Sequence, residues 1–281
     1  MMRSADARKE AREWLDEKEY KGKFTWTLAL YGTEAMAKEA GLSLKQYWNI
    51  IMKGCYLDKK NPVREWRRLF SFQEKVKKKL NALPIDHVQM KGKNCDLTIK
   101  IGTNRKWLGG SGRNIPSFEL FISPDWRGTS GYIKFNQPLY CYGNIVKNVE
   151  LWFNNGLVAK ARASQGEEII RSLIKRKNAD KIGEYSLTDA RLSRINHFMA
   201  NTLFDENMGG AYGNTHLALG MSYKDSYVGD PGKPSKQKWA SMGFNSSAEH
   251  MDNISTEDRT VTAFLTNGQK QVIYRKGRFT V

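Results

Sequence analysis

The stretch Val149–Ser164, "VELWFNNGLVAKARAS", decides the fold class. Asn155 and Gly156 stand between two runs that carry strand-forming residues. An Asn-Gly pair tolerates the positive φ of a tight hairpin turn, so the flanking runs pair antiparallel. Asn267-Gly268 stands in the same way between "TVTAFLT" and "QKQVIYR". "CDLTIKI", "SFELFIS" and "GYIKFNQPLYCYG" share the alternating or β-branched and aromatic composition of strands. One helical run, "GEEIIRSLIKRK", interrupts them.

Before Pro84 the pattern is helical. Thr33 caps "EAMAKEA", which Gly41 ends, and Ser43 caps "LKQYWNIIMKGCYL". Asn61-Pro62 reads as an N-cap followed by proline at the first helical position, opening "VREWRRLFSFQEKVKKKLNAL". Trp66, Phe70, Phe72 and Val76 form its apolar stripe, and lysines fill the other face. The expected architecture is α+β: a helical segment over 1–82 packing on a β-rich, largely antiparallel domain over 83–281.

Composition narrows the function classes. The 281 residues are 40% hydrophobic, enough for a sizeable core, and lack an apolar run of membrane-spanning length. The charged opening "MMRSADARKEAREW" has no apolar segment of a secretory signal. Cys55, Cys95 and Cys141 are far apart, which fits reduced thiols of a cytoplasmic protein. The net charge of +17 raises the prior for nucleic acid, but the excess is spread along the chain rather than gathered in a tail.

Most catalytic signatures are missing. "GGSGR" at Gly109–Arg113 lacks the Lys-Ser/Thr of a phosphate loop, and neither GxSxG nor HExxH occurs. What remains is a set of acids and histidines in the β-rich part. His250 and Asp252 are two apart in an extended segment, so both side chains face one way. Glu206 and His216 flank the glycine-rich bend "NMGGAYGNT". Glu119 and Glu184 sit in apolar, strand-like surroundings, where a carboxylate needs a partner. Three glutamates, an aspartate and two histidines suit a pair of divalent ions. Taken singly, each has a bland reading: a strand glutamate is commonly solvated or paired with Arg or Lys, and the glycines make a turn. His87 reads as a surface residue in a loop, and His197 as packing or capping near a helix start.

"NTLFDEN", "THLALGMSY", "AEHMD" and the terminal "YRKGRF" resemble the thermophilic aminopeptidase T / aminopeptidase S family of metallo-aminopeptidases. "PVREWRRL", "GRNIPSFELFISP", "VELWFNNGLV", "GEEII" and "IGEYSL" resemble its segments in the same order, from about residue 24 onward. The resemblance implies two divalent ions (Zn, Co, Mn or Mg) with Glu119, Glu184, Glu206, His216, His250 and Asp252 as ligands. It implies Tyr223 as a further ligand or as a hydroxyl donor to the reacting carbonyl, and Glu119 or Glu184 as general base. The implied reaction removes the N-terminal residue of a peptide through a hydroxide bridging the ions, in a cytoplasmic homodimer. The family's usual N-terminal α/β domain of about a hundred residues is expected to be absent here. The link from Glu206 to His216 is longer than in better-known members, which makes Glu206 the ligand most at risk. Two competing readings are a basic nucleic-acid-binding protein, resting on "VREWRRLFSFQEKVKKKL", and an inactive metal-binding remnant of the peptidase fold.

Overall fold

The computed structural model describes the backbone of residues 2–281 and the side chains of residue 7 and residues 11–281. The helices α1 (Met2–Tyr20), α2 (Glu34–Glu39), α3 (Leu44–Gly54) and α4 (Pro62–Ala82) come first, with a short β1 (Leu28–Ala29) after α1. Strands follow: β2 (Ile85–Gly92), β3 (Cys95–Lys100), β4 (Asn114–Ile115), β5 (Glu119–Ile122), β6 (Ser130–Lys134), β7 (Leu139–Cys141), β8 (Asn144–Val146), β9 (Glu150–Asn154) and β10 (Leu157–Arg162). Then come α5 (Glu167–Ile174), β11 (Ile182–Thr188), α6 (Thr202–Asp205), β12 (Asn214–Gly220), α7 (Lys236–Ser241), β13 (His250–Ser255), β14 (Arg259–Leu265), β15 (Lys270–Arg275) and β16 (Arg278–Phe279). The chain is α+β, as its sequence patterns predict.

The caps form where the sequence places them. Thr33 Oγ1 accepts from the Met36 amide, and Ser43 and Gln46 complete a reciprocal capping box. Asn61 Oδ1 accepts from the Arg64 amide at 3.0 Å ahead of Pro62. Asn155 and Gly156 both take positive φ, 49° and 83°, and turn β9 into β10.

Two antiparallel sheets build the β-rich part. The larger runs β10-β9-β6-β3-β2-β14-β15-β16, and the smaller β13-β12-β11-β5. Between them lies the main core, with Val88, Met90, Leu97 and Ile99 on one side and Tyr185, Leu187, Leu217 and Leu219 on the other. A second core gathers Tyr47 and Ile51 of α3 with Phe118, Ile195, Met199 and Phe204, so the helices pack over the approach to β5 and α6.

Two expectations need correction. The buried stripe of α4 is Leu69, Gln73, Val76 and Leu80, rotated from the predicted one, while Trp66, Phe70 and Phe72 are only partly buried. A glutamine is tolerated at its centre because Nε2 donates to the carbonyls of Ser117 and Glu119, at 3.4 and 3.1 Å. His87 lies in strand β2 rather than a loop, stacked on Phe264 with Nδ1 2.8 Å from Asp86.

Candidate metal centre

Ladder register explains why distant acids and histidines meet. Residues paired across strands share a face, and the face alternates along each strand. Glu184 is opposite Ala218, and Ala218 opposite Asp252; Ser186 is opposite both Phe121 and His216. Glu119 is opposite Thr188, and His250 opposite Gly220. Glu119, Glu184, His216, His250 and Asp252 therefore stand on the face of the smaller sheet that is turned away from the main core.

Glu184 reaches that face through a bulge. Ile182 pairs with Leu219 but Glu184 with Ala218, so Gly183 is the extra residue. Ile182 points into the core with Tyr185 and Leu187; without the bulge it would share a face with Glu184. A Cβ on Gly183 would meet the Met221 carbonyl oxygen at 2.1 Å and that of Gly220 at 2.5 Å. Only glycine permits this approach.

The donors converge in two groups, Glu119 with Glu184 and His216, and Glu184 with His250 and Asp252. His216 Nε2 lies 3.2 Å from Glu119 Oε2, 3.5 Å from Glu184 Oε1 and 4.0 Å from Asp252 Oδ1. His250 Nε2 lies 3.4 Å from Glu184 Oε2 and 3.5 Å from Asp252 Oδ1. Glu184 thus offers one oxygen to each group. Nδ1 of His250 is 3.0 Å from the Met221 carbonyl and must donate to it. In the neutral ring, the lone pair of Nε2 then faces the carboxylates, which is how metal-ligating imidazoles are oriented. Ser186 Oγ donates to Glu119 Oε2 at 2.6 Å.

These carboxylates and His216 are buried. Burial and the neighbouring Glu184 push Glu119 above the usual carboxylate range, although His216 and Ser186 oppose the rise. Burial lowers the affinity of both imidazoles for a proton, yet Glu119 and Glu184 beside His216, and Asp252 beside His250, hold them well above the ordinary value. Asp252 is pushed up by burial but ends below its usual value because His250 faces it. Three carboxylates and two imidazoles crowd one space here, and a bound cation would relieve that crowding. His216 makes the same point, since its buried Nδ1 has no hydrogen-bond partner and its Nε2 faces only carboxylates. Oxygen and imidazole donors of this kind fit a divalent metal ion.

Glu206 and Tyr223 stand at the rim. Glu206 caps the end of α6 and accepts from the side-chain amides of Asn114 and Asn207, at 3.4 and 3.3 Å. Burial, with the charges of Glu119 and Asp252, pushes it well above the usual carboxylate range. It falls outside the two tight donor groups. The long link behind it turns outward: Gly210, Ala211 and Tyr212 are exposed. Gly213 takes φ 63°, and a Cβ there would meet the Thr188 carbonyl oxygen at 2.2 Å. Tyr223 keeps 37% of its surface exposed, but its hydroxyl end is 3.4 Å from His250 Nε2, where desolvation followed by the Glu184 charge pushes the phenol above its ordinary value. His197 is exposed away from the cluster, its Nε2 3.1 Å from the carbonyl of Ala40 at the end of α2, and not at a helix start.

Some supporting residues carry no motif. Ser186 is one, and Asn207 is another, accepting from the Phe118 amide at 2.6 Å one residue before Glu119. The single glycine of "IGEYSL" was the available sign of the bulge.

The profile of the thermophilic metalloprotease (M29) family matches residues 1–279. Aminopeptidase AmpS of Bacillus subtilis (strain 168) is 30% identical over 248 residues, covering 83% of this chain and 58% of its own. Aminopeptidase T of Thermus thermophilus is 27% identical over 276 residues, covering 91% of this chain and 65% of its own. The chain therefore spans less than two thirds of the length of these relatives. The solved structure of wild-type AmpT from Thermus thermophilus superposes with a TM-score of 0.79 at 24% identity, covering 91% of this chain and 65% of that one. A 2,5-dihydroxypyridine dioxygenase from Pseudomonas putida KT2440 shares the fold more loosely, with a TM-score of 0.52 at 12% identity over 90% of this chain and 70% of that one. Fold likeness alone assigns no chemistry. The match along almost the whole sequence does decide membership: the chain belongs to the thermophilic metalloprotease (M29) family.

Proposed function

We propose that this protein is a metal-dependent aminopeptidase that removes the N-terminal residue of peptides with the help of two divalent ions. Glu184 carries the reading, because its two oxygens face two different histidines at 3.5 and 3.4 Å. Glu119, Glu184 and His216 would hold one ion, and Glu184, His250 and Asp252 the other, with Glu206 as an outer acid. Zinc, cobalt, manganese and magnesium all suit the donor set. When bound, such ions polarise a scissile carbonyl and lower the pKa of a coordinated water toward about 7.

The chain's own groups do the rest. Glu184 is committed to both donor groups, whereas Glu119 fixes Oε2 through Ser186. We therefore assign proton transfer, from the attacking water to the departing amine, to Glu119. The protonated Tyr223 hydroxyl, beside His250, is placed to donate to the oxygen that becomes negative. The β-rich part from residue 83 carries this chemistry, and the helices of 1–82 pack on it. A cytoplasmic site of action is supported by three free thiols, two of them buried. The homodimer rests on the family resemblance. Among the described residues, no helix is long and apolar enough to cross a membrane.

The test is hydrolysis of leucyl-anilide by metal-loaded protein, abolished by a chelator and restored by added divalent ion. Glu184→Ala should lose bound metal and lower kcat/KM by at least roughly a thousandfold. Glu119→Gln should weaken the ion held with His216, and kcat should stay low even when divalent ion is supplied in excess. Full activity in Glu184→Ala refutes the site, and full activity in Glu119→Gln refutes the assignment of the base.

A further inference from the structure

A cavity of about 620 Å³ lies between α1, the loop over residues 106–113 and the turn that follows Tyr223. Two of its lining segments adjoin strands and turns of the metal centre. Leu108 lines it and bridges antiparallel to Phe121, with N···O distances of 2.8 and 3.0 Å. Leu108 thus lies one strand spacing, about 4.8 Å, beyond the strand that carries Glu119. The ring of Phe121 is 5.8 Å from that of Tyr223, and Asp225, two residues after Tyr223, lines the cavity as well. The Lys106 amide donates to the Ser226 carbonyl, and Ser226 Oγ donates to the Lys106 carbonyl, both at 2.8 Å.

The walls are already held in place. Arg113 bonds Glu19 at 2.6 Å and Asp225 at 2.8 Å, and Trp26 Nε1 donates to Glu19 at 3.1 Å. These bonds use the charge of Arg113. Lys106 is different: among the described residues it pairs with no carboxylate, and it lines the same cavity. Trp26 keeps 37% of its surface exposed beside Leu108 and Tyr20. The lining thus sets Glu19 and Asp225 against Arg113 and Lys106, and Lys106, beside the aromatic rings, is the charged group held in no ion pair among the described residues.

We propose that this cavity is the subsite for the second and third residues of a short peptide. The inference rests on the aminopeptidase reading of the metal centre. An extended peptide advances about 3.4 Å per residue. Phe121 is two residues along its strand from Glu119, so Leu108 lies roughly 8 Å from Glu119. A peptide with its first residue at the metal cluster brings its third, about 7 Å on, up to the Leu108 wall. Trp26, Tyr20 and Leu108 take an apolar side chain, and Lys106 takes the free C-terminal carboxylate. The favoured substrate class is the tripeptide with an unblocked carboxyl end and an apolar last residue.

The experiment compares Leu-Gly-Phe with its C-terminal amide on metal-loaded wild type, Lys106→Met and Lys106→Arg. Wild type should favour the free acid by roughly tenfold in kcat/KM, chiefly through KM, as for one charged hydrogen bond. Lys106→Met should erase the preference and Lys106→Arg restore part of it. Equal rates for acid and amide in wild type, or an undiminished preference in Lys106→Met, overturns the proposal. If wild type cleaves neither peptide nor leucyl-anilide, the aminopeptidase reading fails on its own. Calorimetry with D-Leu-Gly-Phe and its amide then decides the cavity: tighter binding of the acid, lost in Lys106→Met, supports the subsite, and equal binding overturns it.

Discussion

The two faces of the β13-β12-β11-β5 sheet are made by the same strands and bury opposite chemistry. One face sets Leu120, Ile122, Tyr185, Leu187, Leu217, Leu219 and Met251 against the larger sheet. The other sets Glu119, Glu184, Ser186, His216 and Asp252 against one another. The first is stabilised by removal of apolar surface from water, roughly 1.5–3 kcal/mol for each large side chain. The second concentrates buried charge, which costs stability until a cation is bound. The sheet is thus a plate held by its core face, on which a crowded, charged face is mounted. Rigid elements position reactive groups better than loops do.

Gly183 joins the faces, so its replacement should have the broadest effect. Gly183→Val forces a side chain into the Met221 and Gly220 carbonyls, where a Cβ would already lie at 2.1 and 2.5 Å. Relief of that clash shifts the bulge and turns Glu184 away. Both properties should fall together: thermal stability by at least about 1–3 kcal/mol and metal stoichiometry toward zero. A variant that keeps full metal content would show that the bulge does not aim Glu184.

Leu217→Ala separates the faces from the core side. Leu217 is fully buried, and the truncation should cost about 2–5 kcal/mol in denaturant unfolding. Metal stoichiometry, measured below the new unfolding midpoint, should stay that of wild type. Loss of metal from the folded variant would mean that the faces are not mechanically separable.

Ser186→Ala separates them from the other side. The hydroxyl donates to Glu119 at 2.6 Å. Its loss should weaken metal affinity by roughly 10–100-fold, read by competition with a chromogenic chelator, while the metal-free protein unfolds close to the wild-type midpoint. An unchanged affinity would remove Ser186 from the support of the site.

The smallest effect belongs to a pair that touches neither face. Arg194 grips Asp58 with two bonds of 2.6 and 2.7 Å, and holds its carboxyl down to about 2. A carboxyl depressed in the folded state stabilises fully above the ordinary carboxylate range of about 3.9. That contribution fades as pH falls from there through about 2. Asp58→Asn should therefore lower the melting temperature slightly at pH 7 and converge with wild type near pH 2. A gap that persists at low pH would refute the linkage.

Much of this was legible from local chemistry. Caps at Thr33, Ser43 and Asn61 and the Asn155-Gly156 turn act over a few residues, and short-range rules read them well. The pairing of His250 with Asp252 was also legible, because a strand repeats every two residues. Gln73 was not, since its burial is tolerated only because two carbonyls 44 and 46 residues away accept its amide hydrogens. His87 reads in the sequence as a surface loop residue, because nothing nearby announces that β2 pairs with β3 and β14.

The α+β class, the hairpins, the family and the residue types that a divalent metal requires are all readable along the chain. This holds because turns, caps and alternation are properties of neighbouring residues, and donor chemistry belongs to the side chain alone. Tertiary structure decided which of those donors meet. Ladder register brought Glu119, Glu184, His216 and His250 from four strands onto one face. One glycine bulge put Glu184 on that face rather than in the core. The end of α6 set Glu206 outside the two tight donor groups. These outcomes depend on pairings between strands far apart in the chain, and a shift of one residue in any of them would exchange the two faces.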